Sequence, residues 1–257
     1  MERNLKEGGK MLLLARIEFT KLKRCNVYFV GIVTLLFAPL ISVFQQVSLN
    51  EPIPHYGFYN LVNDTIWYNM CLFLPVTIIF LGGYMINREY TENTLKNMFI
   101  VPVTYQTLIC GKLVALAIMT TLYCMYSALL TILVSAVLFP KGLSLIPIIH
   151  ETGKIIIVGS CLYIAVMPIM CWCCGRKNRF MAAAVLGFLY GFIGIPIAGH
   201  GLQDFYPITA GLTIIHYSGS ADAALSYNFG IAVTTLLLMV VLSYLILYFQ
   251  SRTPNKK

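Results

Sequence analysis

Six stretches of mostly apolar residues, each free of Asp, Glu, Lys, Arg and His, divide this chain: Val27–Val47, Ile66–Ile86, Leu113–Phe139, Ile155–Cys174, Phe180–Ala198 and Phe229–Phe249. A helix needs about 20 such residues to cross a hydrocarbon layer about 30 Å thick, and inside that layer every backbone polar group must be satisfied within the protein. Six membrane-spanning helices follow. The third stretch is long enough to tilt or to protrude from the bilayer. The first has too long an apolar run, and no small-x-small site after it, to read as a cleaved signal peptide. The whole 257-residue chain agrees: 58% of it is hydrophobic and 11% is charged, against about 25% charged in soluble domains. These proportions exclude a soluble enzyme, a disordered chain and a disulfide scaffold. The eight cysteines are scattered and none falls in a segment expected outside, so no oxidised framework is implied.

The charges sort by loop. Sixteen of the eighteen Lys and Arg residues lie in the N-terminal segment, the second and fourth loops and the C-terminal tail; only Lys141 and Lys154 lie in the odd-numbered loops. By the positive-inside rule both termini are cytoplasmic. The net charge of +8 is then a topology signal with an attraction to anionic lipid, and no nucleic-acid partner is needed to explain it. A carrier driven by its own ion gradient is disfavoured, since such carriers keep an ionisable group at membrane depth and often show inverted repeats of broken helices. No Lys precedes Ser or Thr, so the phosphate-binding G-x-x-x-x-G-K-[ST] loop is absent from these residues. Energy for uphill transport would have to come from a partner.

Two cytoplasmic segments carry pattern. In Met11–Arg24, Met11, Leu12, Ala15, Phe19 and Leu22 share one helical face, with Arg16, Thr20, Lys23 and Arg24 opposite; this predicts a basic interfacial helix under the first span, the alternative being a simple stop-transfer charge cluster. The second loop runs Arg88-Glu89-Tyr90-Thr91-Glu92-Asn93-Thr94-Leu95-Lys96-Asn97-Met98 and continues to Pro102-Val103-Thr104 and Lys112. Its first part predicts a short helix, with Glu92 and Lys96 paired at i,i+4. Pro102 ends it and Thr104 can cap the next helix. A charged helix held between two spans is a handle for a soluble partner.

This loop resembles that of the permease subunits of type-2 ABC exporters, whose second and third spans are joined by E-x-x-x-(G/N)-T-x-K-x-(L/M), then P-(V/L)-(S/T)-R and a later Lys. Glu89, Asn93, Thr94, Lys96, Met98, Pro102, Val103, Thr104 and Lys112 fit. Tyr105 stands where many members have Arg, and Asn93 where Gly is commoner. The Asn-Thr form is most similar to the bacitracin and lantibiotic immunity branch. The resemblance implies an all-α integral membrane permease of a bacterial cell membrane. Residues 1–257 would form one domain: an amphipathic segment 1–26, a six-span bundle 27–249 and a tail 250–257. It implies that Arg88, Glu89, Glu92, Thr94, Lys96 and Met98 bear on a separate ABC ATPase, which holds the ATP and Mg, and that a second permease, identical or a sister, completes the membrane part. Gly199–Asn228, too broken to span and too apolar for solvated coil, would form short external re-entrant helices.

No charge lines the spans, whereas Tyr84, Thr120, Thr121, Tyr123 and Ser127 offer aromatic and hydroxyl groups to an amphiphilic substrate. Within the immunity branch that substrate would be a peptide antibiotic removed from the membrane. The alternatives are an ABC permease for another substrate, such as a metal or a lipid, and a non-transport intramembrane enzyme. Cys171, Cys173 and Cys174 with Met167 and Met170 could suit a soft metal, yet both residue types are ordinary apolar fillers. His150-Glu151 lacks the x-x-His that would place two ligands on one helix face, and His216 and Ser218 have no carboxylate in view. Gly187, Gly191 and Gly194 permit close helix approach, within the bundle or between subunits. Pro39, Pro75 and Pro168 would kink spans and shape an inner cavity.

Overall fold

The computed structural model describes residues 14–22, 26–48, 56–91, 105–140, 144–173, 180–217 and 227–252. All regular structure among them is helical, and six helices are long and apolar enough to cross a membrane. The first span is Tyr28–Ser48. The second comprises Phe58–Tyr68, a π-helical turn Asn69–Phe73, and Leu74–Thr91. The third is Tyr105–Leu138, the fourth Leu145–Cys173, the fifth Phe180–Gly199 and the sixth Phe229–Arg252. A short helix, Ala210–Ile214, lies between the fifth and sixth.

The second, third and fourth helices extend past the apolar stretches. The third holds 34 residues and the fourth 29, or about 51 and 43 Å at about 1.5 Å per residue, against about 30 Å of hydrocarbon. Their overhanging turns carry charge, while the six apolar stretches themselves hold none. Asp64 lies in the first turns of the second helix and accepts a bond from Tyr56 Oη at 2.7 Å. Lys112 lies in the early turns of the third. At the start of the fourth, Glu151 is buried and pairs with Lys154 Nζ at 2.8 Å and His150 Nδ1 at 3.0 Å. These charges sit near helix ends and have partners, which keeps their burial tolerable.

The second span is the axis of the bundle: 72% of its most apolar window is buried, against 28% for the first, fifth and sixth spans. It packs most extensively on the fifth, while the fourth packs on the sixth and the third. Small residues set these crossings. A Cβ at Gly187 would meet Ile79 Cδ1 at 2.3 Å, and one at Gly159 would meet Cys124 Sγ at 2.1 Å. The fifth-span glycines Gly187 and Gly191 thus serve packing inside this chain, against the second span.

Pro75 explains the π turn. In an α-helix its missing N–H would have bonded the Cys71 carbonyl, and its ring would strike that carbonyl. The wider turn Asn69–Phe73, closed by Leu74 N–H to the Asn69 carbonyl, absorbs the conflict. The displaced backbone needs room, and Gly191 supplies it: a Cβ there would lie 2.3 Å from the Cys71 carbonyl oxygen. Gly191→Ala is therefore expected to cost roughly 1–3 kcal/mol, because a backbone atom has to give way. Thermal unfolding of the purified variant checks this; an unchanged midpoint would contradict the contact.

After the fifth span the chain folds back into the bundle. Ala210, Gly211, Leu212 and Thr213 are buried, with Gly211 against Val158 and Cys161 of the fourth span. The segment is tied down by side chains. Asp204 accepts bonds from the Thr213 hydroxyl and from Asn228 N–H, the latter at 2.9 Å. Burial raises the Tyr206 and Tyr217 phenols well above their ordinary range, so both remain donors. Tyr206 bonds the Tyr190 carbonyl at 2.5 Å, and Tyr217 the Asn63 carbonyl at 3.1 Å. Ile208, Leu212 and Ile215 are buried, while Leu202 and Phe205 stay exposed.

Candidate functional site

Residues 14–22 are helical. Ala15, Glu18 and Leu22 are buried and Phe19 packs on the core, whereas Arg16, Ile17 and Thr20 are exposed. The helix expected from the sequence is present, and its apolar face is used against the bundle. Leu14 Cβ lies 2.8 Å from where a Cβ on Gly111 would be, so a glycine lets this helix approach the third span.

Glu18 sits on that packed face. Its Oε2 accepts from Lys112 Nζ at 2.9 Å and its Oε1 from Lys21 Nζ at 3.0 Å. Lys112 also donates to the Met85 carbonyl at 3.1 Å, and Arg88 Nη1 donates to the Lys21 carbonyl at 3.2 Å. The side chains of Glu18 and Lys112 are 6% and 4% exposed, so this pair is shielded from the solvent that weakens surface ion pairs. Three elements are joined at one point: the N-terminal helix, the end of the second span and the start of the third. These are the two ends of the Arg88–Lys112 connection.

Of the residues expected to bear on a partner, Arg88 lies in the last turn of the second span. Glu89 lies on the same helix, which runs on to Thr91. Glu92, Thr94, Lys96 and Met98 fall outside the described residues, as do Cys174 and Ser218. The next helix starts at Tyr105, directly after Thr104.

The hydroxyl-bearing residues are dispersed. Thr120 donates to the Leu116 carbonyl at 2.9 Å and Tyr123 to the Tyr28 carbonyl at 3.0 Å, and Ser127 accepts from Asn69 Nδ2 at 2.7 Å. All three are on the buried face of the third span, Thr121 is on its exposed face, and Tyr84 is half-buried on the second span. A cavity of about 230 Å³ opens between Ile17, Thr20, Lys21 and Arg88, and a void of about 10 Å³ lies beside Lys112. Neither is lined by Tyr84, Thr120, Tyr123 or Ser127. His216 packs edge-on against Tyr227 at 5.7 Å, and Cys171 and Cys173 are buried free thiols in the packed end of the fourth span.

The family model for ABC-2 family transporter proteins matches residues 14–194, from the N-terminal helix through most of the fifth span. The chain belongs to the ABC-2 transporter family. It is a transport subunit, and ABC-2 permeases act with ABC ATPase subunits. This ABC-2 permease is also similar to the bacitracin transport permease protein BCRB of Bacillus licheniformis, with 29% identity over 156 residues covering 60% of this chain and 74% of the relative. The match begins at Leu14, where the described N-terminal helix begins. Glu18 is the residue that sequence reasoning missed. It is the one carboxylate among the four cations of Met11–Arg24, and a lone acid on the otherwise apolar face of a basic helix was the available signal.

Proposed function

We propose that this chain is one half of the membrane part of an ATP-driven exporter in a bacterial cytoplasmic membrane, with both termini cytoplasmic. A partner ATPase docks on the segment Arg88–Met98, using Glu89, Glu92, Thr94, Lys96 and Met98. The observation that carries this reading is the buried Glu18–Lys112 pair, which together with the Arg88–Lys21 bond ties both ends of the Arg88–Lys112 connection to the N-terminal helix. A push on the loop then moves the second and third spans with that helix, as a coupling element requires. A second permease completes the passage. The substrate class is an amphiphilic peptide antibiotic of the bacitracin or lantibiotic type, supported by the relative's name and by uncharged span interiors.

The test is co-expression with its partner ABC ATPase in a sensitive bacterium. The pair should raise the inhibitory concentration of bacitracin or a lantibiotic, and the two proteins should purify together, while the permease alone shows no ATP turnover. Resistance unchanged for every such peptide would remove the substrate assignment; turnover by the permease alone would remove the partner. Orientation is checked by single-cysteine labelling of intact cells on a background without native cysteines. Exposed positions within Glu51–Thr65 and Gly199–Asn228, such as 59, 202 and 205, should react with an impermeant reagent, and position 97 only after lysis.

A further inference from the structure

Where the second and third spans meet, both bring buried polar side chains. Thr65 and Asn69 lie one turn apart on the second span, and Ser127, Thr131 and Ser135 follow at single-turn steps on the third. All five are at most 2% exposed. Asn69 Nδ2 donates to Ser127 Oγ at 2.7 Å, and the Thr131 hydroxyl donates to the Ser127 carbonyl at 2.8 Å. Among the described residues, three oxygens of this seam have no hydrogen-bond partner: Thr65 Oγ1, Asn69 Oδ1 and Ser135 Oγ. Burial strips such atoms of water and returns nothing. The register of the two spans shows what keeps them apart. Asn69 meets Ser127, Gly82 faces Leu116 and Met85 receives Lys112, so the spans run antiparallel and level positions step in opposite directions. Thr65 is therefore level with Thr131, and Ser135 lies one turn beyond it, about 6 Å along the axis. The face that carries Ser135 is smooth. From Cys124 to Leu138 the buried residues of the third span are Cys124, Ser127, Ala128, Thr131 and Ser135, none larger than threonine.

We propose that the third span has a second register, displaced by one turn toward its Lys112 end, in which Thr65 bonds Ser135 and Asn69 bonds Thr131. That displacement gives all three orphaned oxygens a partner. The Thr65 and Ser135 hydroxyls pair, and Thr131 turns its hydrogen from the Ser127 carbonyl to Asn69 Oδ1. Ser127 gives up its bond to Asn69, and its hydroxyl returns to a carbonyl of its own helix, as that of Thr120 does here. Elements that ratchet past one another by a turn form two-state switches elsewhere. The apolar stretch Leu113–Phe139 is about 40 Å long, so a slide of about 6 Å still fills the hydrocarbon. The same slide carries Lys112 past the Met85 carbonyl, while Arg88 keeps the N-terminal helix on the second span. The Glu18–Lys112 junction therefore holds the present register, and the second is reached only when that junction opens. Neither an ATPase nor a substrate is needed for the slide or enters its test.

Disulfide trapping in the purified full chain, on a background without native cysteines, reads the register. One variant carries Thr65→Cys with Thr131→Cys, and a second carries Thr65→Cys with Ser135→Cys. Copper phenanthroline is the oxidant, and a link is scored as spans that stay joined after trypsin cuts the connection between them. The first pair should link readily and the second slowly. Adding Glu18→Met and Lys112→Met should raise the rate of the second link roughly tenfold, because removing a contact made in one state shifts the population toward the other. A second link no faster with the junction removed, or no link from the first pair, would overturn the proposal. The hydroxyls are tested in the otherwise unmodified chain by thermal midpoint. Thr65→Val and Ser135→Ala should leave it unchanged or higher, while Ser127→Ala lowers it. A lower midpoint for Thr65→Val or Ser135→Ala would show those hydroxyls bonded in the present register, and would overturn the second register as well.

Discussion

Glu18→Ala leaves the Lys112 ammonium buried against the Met85 carbonyl with its carboxylate gone, and is expected to cost about 3–5 kcal/mol. Glu18 gives one oxygen to Lys112 and the other to Lys21, and both Glu18 and Lys112 have little access to water, so neither is rescued by solvent when the other is removed. Lys112→Ala should cost a comparable amount, and combining the two should cost much less than their sum. Replacing both residues with Met removes both charges and keeps apolar volume, which commonly restores stability for buried pairs. The measurement is folded yield and thermal midpoint in detergent for the two single variants, the double Ala and the double Met. Wild-type behaviour of Glu18→Ala would show that the pair does not hold the N-terminal helix. A stable double Met variant that no longer confers resistance with its ATPase would separate the pair's role in coupling from its role in folding.

The spans were legible because the hydrocarbon layer imposes a length and excludes charge. Tyr28–Ser48 and Phe180–Gly199 fall within a residue or so of the apolar stretches that announced them. Where the helix leaves the membrane that constraint ends. The sequence then gives no apolar signal for the overhang, so the starts of the third and fourth helices, at Tyr105 and Leu145, were read too late. The π turn was half legible: Pro75 announced a disturbance, but its form depends on the fifth span offering Gly191 at the displaced carbonyl. The N-terminal helix was visible in its periodicity. Its partner was not, since Glu18 and Lys112 are 94 residues apart and nothing local joins them. The hydroxyls and phenols of the second and third spans read as groups offered to an amphiphilic substrate because no charge accompanies them. Residue type alone does not distinguish a passage from internal hydrogen bonding, and Thr120, Tyr123 and Ser127 all make internal bonds.

Reversing charge at Glu89 or Glu92 is expected to detach the ATPase while leaving the permease folded. Glu89 lies on the helix that carries the second span to Thr91, beyond the membrane-crossing stretch that ends at Arg88. Glu92 follows one residue after that helix. By the resemblance these carboxylates bear on a partner and not on the bundle, and substitutions away from packed features usually change stability by less than about 0.5 kcal/mol. At a protein interface the balance differs. Removing one partner of a desolvated charge contact costs about 2–5 kcal/mol, enough to weaken docking well over tenfold. Glu92→Lys also places like charge four residues before Lys96, a further penalty of a few tenths of a kcal/mol, roughly, if the helix continues. Glu89→Lys and Glu92→Lys should therefore insert and purify at wild-type levels, retain little ATPase and confer little resistance. The comparison is made at matched membrane amounts, with Lys141→Glu, in the third loop, as the control charge reversal. Full assembly and full resistance for both variants would mean that this loop does not transmit the ATPase stroke. The Glu18–Lys112 junction would then be a structural clasp without a coupling role.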